Sequence, residues 1–285
     1  MATDGGDLGD YDPVSCSKIH GEAARIIRAF GFAGAHVIII GGLVPSLLVP
    51  AVEPGLDPHI GTNDLDLCLS VALVDGDVGE YERLETSLRG AGFRMAQEAG
   101  HSVSWRWIGG AGTQLVVEFF CAAAPDRAAG RLYRPGGVVG GKLSALALDA
   151  GALISRDVRT VALDIELPDG GGRTRQDFRV AGPAAYLAAK ADALRRRNKN
   201  KDAYDLVWLA ESWPGGQVGL ATEIRSSGML AALGPALAVL AEEFRDLDSA
   251  GAVKYGRFVA RDSSTRDIHA QRAVGCMRAL LSALA

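Results

Sequence analysis

The sequence is poor in cysteine, and the cysteines it has are scattered. Cys16, Cys68, Cys121 and Cys276 form no C-x-x-C pair and no Cys/His cluster. That argues against a zinc site or a disulfide framework and fits a reducing cytoplasm. Long apolar runs are missing too. The most apolar stretch, VIIIGGLVPSLLVPAV, is 16 residues long and broken by Gly41, Gly42, Pro45 and Pro50. It is too short and too interrupted to span a bilayer, so a soluble, cytoplasmic protein with no membrane partner is expected. Neither sign of charge dominates: 30 basic against 34 acidic residues give a net charge of −4. Nucleic acid would therefore have to be met by a local basic patch. The N-terminal MATDGGDLGDYDP lacks the basic and apolar regions of a signal peptide and reads as a loose tail. Internal repeats, H-E-x-x-H, G-x-S-x-G and a G-x-G-x-x-G between strand and helix are absent. One near miss, GGVVGGKLS (136–144), resembles a phosphate-binding loop, but Leu143 stands where the Mg²⁺-ligating hydroxyl belongs. It reads as a glycine-rich loop entering a helix.

What is present orders the chain into an α/β first half and a helical second half. GEAARIIRAFGFAG (21–34) has helical apolar spacing and a glycine stop, and HVIII (36–40) reads as a short buried strand. A Gly41-Gly42 turn, a short helix in LVPSLLV and a loop at 57–61 follow. EYERLETSLRGAG (80–92) reads as a helix, and HSVSWRWIG (101–109) and TQLVVEFFCA (113–122) as strands. The expected divisions are a tail at 1–16, an α/β core at 17–125, a β-containing connector at 126–182 and a helical domain at 183–285.

The chemistry concentrates in HIGTNDLDLCLSV (59–71). Asp64, Asp66 and Cys68 alternate with Leu65, Leu67 and Leu69, the period of a half-buried strand, so both aspartates point to one face. Carboxylates so placed repel unless something positive is shared between them. Glu118 is the one charge within the apolar QLVVEFFC, and burying it costs energy unless it is paired or bound to metal. Two readings stand: a third oxygen ligand beside the aspartates, or an ion pair with Arg106 on the neighbouring strand. Glycines at 41 and 42 would let backbone N–H groups approach an anion.

With Gly41-Gly42, Asp64-x-Asp66 and Glu118 in this order, the first half resembles the polymerase-β-like nucleotidyltransferase superfamily. Within it, GTNDLDL looks like the T-x-D-h-D-h segment of the AbiEii/AbiGii toxin group. LAAKADALRRRNKNKDAYDLVWL is similar to that group's helical K-x-x-A…R-x-K-x-[RK]-D-x-Y-D-L signature, with Lys190, Arg197, Lys199, Lys201, Asp202 and Asp205 in register.

The resemblance implies an α/β (α+β) fold, a nucleotidyltransferase core with a mixed sheet followed by a helical domain. It also implies a Mg²⁺-dependent bacterial enzyme moving a nucleoside monophosphate from an NTP to a hydroxyl. Asp64, Asp66 and Glu118 would be catalytic and hold two Mg²⁺ ions (or Mn²⁺). Gly41, Gly42, Ser46, Lys190, Arg197, Lys199, Asp202 and Asp205 would bind the nucleotide; Ser46 would supply the hydroxyl that Gly42 lacks. Read without the resemblance, Asp202 is equally a helix cap, and Asp205 either pairs with a base of its own motif or positions the acceptor. Expected partners are an NTP, an RNA (a tRNA end) or protein acceptor, and a cognate antitoxin. The basic run at 195–201 would give RNA a footing. The alternatives are a catalytically silent nucleotide- or RNA-binding module of a toxin–antitoxin pair, or a small-molecule transferase of aminoglycoside type.

Overall fold

A computed structural model describes residues 7–11, 13–70, 78–110, 115–134, 143–168 and 170–285. The chain forms two compact units, and neither is continuous in sequence. One comprises Val14–Val44 and Gly61–Ala181; the other comprises Met1–Pro13, Pro45–Ile60 and Gly182–Ala285. The divisions therefore cut across the linear boundaries expected from sequence. The 145–181 stretch belongs to the α/β unit, and 45–60 goes with the helices.

The α/β unit is built on a mixed sheet of nine strands among the described residues. Its strands are β1 (Val37–Ile40), β2 (Asp64–Leu69), β3 (Arg94–Glu98), β4 (His101–Gly109) and β5 (Leu115–Ala122). They continue with β6 (Leu132–Tyr133), β7 (Ala145–Leu148), β8 (Val158–Glu166) and β9 (Arg173–Ala181). The order is β3-β4-β5-β2-β1-β9-β8, with β7 also pairing with β5, and β6 with β7. β1 is antiparallel to β2 and parallel to β9, while β2 and β5 run parallel. All four residues of β1 are buried, as an unbroken VIII run at the centre of a sheet should be. α1 (Pro13–Ala29) buries Ile19, Ala23, Ala24 and Ile26, and Phe30 reaches Phe119 with ring centroids 6.3 Å apart. Among the described residues, α2 (Val44–Leu48), α3 (Val78–Gly90) and α4 (Gly151–Arg156) are further helices before the helical region.

The expected connector supplies four strands of this sheet. Leu143 and Ser144, where a helix was expected to begin, lead into β7 instead. A short apolar run such as ALAL suits either element, and pairing with β5 decides for the strand. Residues 135–142, most of the near-miss phosphate loop, lie outside the described residues.

The helical unit contains α5 (Pro183–Arg196), α6 (Lys201–Ser212), α7 (Gly216–Ser226), α8 (Leu230–Glu243), α9 (Ala250–Val259) and α10 (Arg266–Leu284). Gly182 caps α5 in extended conformation and Pro183 takes its first turn, where a missing N–H costs nothing. α6 buries eleven of its twelve residues, Lys201, Asp202 and Asp205 among them. A helix submerged on all sides has no solvent to satisfy its charges, so they must satisfy one another. Among the described residues no helix is long and apolar enough to cross a membrane.

Candidate functional site

The α/β unit places the two aspartates where the alternation put them. Leu65 and Leu67 are wholly buried, whereas Asp64 and Asp66 lie half-buried on the opposite face of β2. Pairing sets one row across the sheet: Ile40 opposite Asp66, Asp66 opposite Glu118, Glu118 opposite Arg106. Adjacent members of such a row are about 4.8 Å apart from strand to strand. Directly paired residues share a face, so the row carries two carboxylates and one guanidinium.

Gly41 explains itself at this face. Its φ is +70°, and a Cβ built on it would stand 1.7 Å from Asp66 Oδ2. Any side chain would be strained by the backbone and would displace the carboxylate. Gly42 is buried in the same turn. Asp64 is oriented by Thr62, whose buried hydroxyl donates to Asp64 Oδ1.

Glu118 is held. Arg106 Nε donates to Glu118 Oε1 at 2.6 Å, Arg106 Nη1 donates to Glu98, and the guanidinium stacks over Trp105 at 4.7 Å. Among the described residues no group of three or more His, Cys, Asp or Glu side chains could hold a metal ion. A three-carboxylate, two-ion site therefore does not fit this arrangement. Asp64 and Asp66 remain as the two acids of that face that could contribute oxygens to a hard divalent cation.

The helical unit gathers the second motif into a buried charge network. Lys190 Nζ donates to Asp202 Oδ1 at 2.7 Å and to Asp205 Oδ2 at 2.6 Å. Arg197 grips Asp202 through Nε at 2.7 Å and Nη2 at 2.9 Å. Asp205 Oδ1 also receives Lys201 Nζ at 2.5 Å and lies 2.9 Å from His59 Nε2. Lys190, expected to face a triphosphate, thus finds its anions in Asp202 and Asp205. Of the two readings of Asp205, pairing within its own motif is the one the geometry has, and Asp202 accepts from Lys190 and Arg197.

The electrostatics follow. Burial pushes the carboxyl of Asp202 up, but Lys190 and Arg197 overcome it and hold it at about 2. Asp205 is also held well below its usual range, by Lys190 and Lys201 against burial. Lys190, with two carboxylates, is raised despite its desolvation. Lys201 has one carboxylate and Lys190's like charge nearby, so burial wins and it is lowered. Burial and the charge of Lys201 lower His59 to about 4, leaving it neutral at pH 7 and donating its Nε2 proton to Asp205.

His59 carries no local signal in the sequence, since its partner is 146 residues away. The same loop is fixed to α6 twice more: Tyr204 Oη accepts from Ile60 N at 3.1 Å and Trp208 Nε1 donates to Asp57 O at 3.0 Å. Ser46 is half-buried in α2. The basic run at 195–201 is narrower than its composition suggests. Lys201 is buried, Arg197 is spent on Asp202, and Arg195 and Arg196 flank Asp192 at 3.7 and 2.7 Å. Lys199 is half-buried.

No protein-family model matches the chain, and no curated protein matches it. Solved structures do. An antigenic nucleotidyltransferase-like protein from Paracoccidioides brasiliensis is similar over 79% of this chain and 94% of its own, at 16% identity and a TM-score of 0.38. JHP933 from Helicobacter pylori is similar over 94% of this chain and 93% of its own, at 14% identity and a TM-score of 0.41. Likenesses this distant leave function to be argued from the residues themselves.

Proposed function

We propose that the protein is an NTP-dependent nucleotidyltransferase that moves a nucleoside monophosphate to a hydroxyl acceptor at the β2 face. One observation carries the reading: two aspartates share one half-buried strand face, and the carboxylate of Asp66 is lodged where Gly41 has no side chain. A fold has little use for adjacent carboxylates there, and a divalent cation with a polyphosphate has much.

Asp64 and Asp66 would hold Mg²⁺, which would polarise the α-phosphate and neutralise its charge. In the transfer, the acceptor oxygen bonds to the α-phosphorus and the bond to the β-phosphate bridge breaks, releasing pyrophosphate. The hydroxyl proton passes to a carboxylate of the same face. Thr62 keeps Asp64 in one orientation, and the missing side chain of Gly41 leaves room for the carboxylate of Asp66. Such chemistry needs positioning and charge more than a covalent nucleophile.

The acceptor we favour is RNA, on the strength of the toxin-group resemblance. A toxin role with a cognate antitoxin follows from the same resemblance. Incubation with each α-labelled NTP, Mg²⁺ and total RNA tests the reading. Label should enter the RNA with wild type and not with folded Asp64→Ala. Labelling by the variant at the wild-type rate, or none by wild type in any fraction, would overturn it. The ion pair between Arg106 and Glu118 favours one second reading, a silent nucleotide-binding module. That protein would bind NTP with Mg²⁺ yet release no pyrophosphate.

A further inference from the structure

Arg106 is unusually well fixed for a residue on a half-open sheet face. Its side chain is 31% exposed, against 14% for Glu118 and 52% for Glu98. Glu118 takes its Nε, Glu98 takes its Nη1, and Trp105 lies under its plane. A guanidinium offers five N–H donors in a rigid fork. Among the described residues Nη2 makes no hydrogen bond, so one arm of the fork keeps its donors while the other contacts immobilise the group. Arg106 also stands in the same row as Asp66, with Glu118 between them.

We infer, resting on the reading above, that Arg106 is a phosphate-binding residue of the β2 site and that Glu118 is its anchor, not a third metal ligand. Three fixed contacts give this cation low reorganisation cost when a triphosphate arrives, and the N–H donors of Nη2 remain to meet its oxygens. Glu118 acts through Arg106 and is a positioning residue. Lysine at 106 would keep the charge and lose the fork.

Two titrations separate this from its alternatives, with folding of each variant checked by circular dichroism. The first is Mn²⁺ binding followed by electron paramagnetic resonance, with wild type, Glu118→Gln and Asp64→Asn. The expectation is one ion per chain, affinity unchanged within about twofold in Glu118→Gln, and a loss of about tenfold or more in Asp64→Asn. The second is calorimetric binding of each of the four α,β-methylene nucleoside triphosphates with Mn²⁺ present. Affinity should fall about tenfold or more in Arg106→Gln, fall less in Glu118→Gln, and be only partly kept by Arg106→Lys. A tenfold loss of Mn²⁺ in Glu118→Gln, or a second ion per chain, would make Glu118 a ligand and overturn the inference while leaving transferase function intact. Unchanged triphosphate affinity in Arg106→Gln would overturn it too. If wild type binds neither Mn²⁺ nor any triphosphate, the underlying reading fails with it.

Discussion

The β2 face and the α5–α6 network are made from the same materials, aspartates with lysine or arginine nearby, yet they are opposite kinds of site. In the network, Asp202 and Asp205 are 0% exposed and each receives two or more donors from cationic side chains. Burial there makes every charge dependent on its partner, because an ion without one would be stranded in a medium that cannot solvate it. On the β2 face the aspartates are half-buried, Asp64 is oriented by the neutral hydroxyl of Thr62, and the row's guanidinium is committed to Glu118. Burial, more than residue type, separates the two: charges locked to one another in the network, and charges left half-buried on the β2 face, where we propose that a ligand is met.

Breaking each site should show the difference in size. Asp205→Ala leaves Lys190 and Lys201 buried around a lost partner and should cost about 3–5 kcal/mol in chemical denaturation. Asp64→Ala should change stability by less than about 1 kcal/mol and abolish transfer. A stability loss for Asp64→Ala as large as that for Asp205→Ala would erase the contrast.

Acid should attack the network next. His59 is neutral in the folded chain with its pKa at about 4, below its ordinary 6.5. The unfolded chain therefore takes up this proton first, and stability falls as pH drops from 6.5 through 4, by about 3 kcal/mol in all. His20 is lowered to about 4 by burial and adds a loss of the same sign. The diagnostic is thus the difference between wild type and His59→Gln, which should show a shallower decline over this window. The carboxyl of Asp202, held at about 2, behaves separately: its contribution is whole above pH 4 and fades only towards pH 2.

Gly41→Ala comes next. The left-handed backbone and the overlap with Asp66 should cost about 1–3 kcal/mol and depress transfer by displacing the carboxylate. Asp66→Ala in the Gly41→Ala background should recover part of that stability, since it removes the overlapping oxygen. Smallest is Arg106→Gln, where a partly exposed ion pair predicts a stability change under about 1 kcal/mol.

Much of the β2 face was legible in the sequence because it is local. Period-2 alternation gives the facing of Asp64 and Asp66, and a lone charge in an apolar strand gives the need of Glu118 for a partner, Arg106 included. The network is legible only in part: pairing of Asp205 within its own motif is one of the two readings the sequence allows, whereas the partners of Lys190, Arg197 and Asp202 are not readable from it. Their pairing depends on how α5 turns into α6 and on His59, far away in the chain. The strands from 145 to 181 were hidden for a similar reason. β9 earns its place beside β1 by a pairing between Ile39 and Val180, and no local pattern reveals a partner so remote. Glycine-rich stretches between those strands looked like an irregular connector because turn residues dominate their composition.

The claim that the β2 aspartates hold a divalent cation can be tested on the intact protein by letting Fe²⁺ replace Mg²⁺ and generate hydroxyl radicals with ascorbate and peroxide. Backbone cuts should cluster at Ile40–Gly42 and Thr62–Asp66, diminish with excess Mg²⁺ and vanish in Asp64→Ala. Cuts that persist unchanged in Asp64→Ala, or that gather away from both segments, would contradict the account.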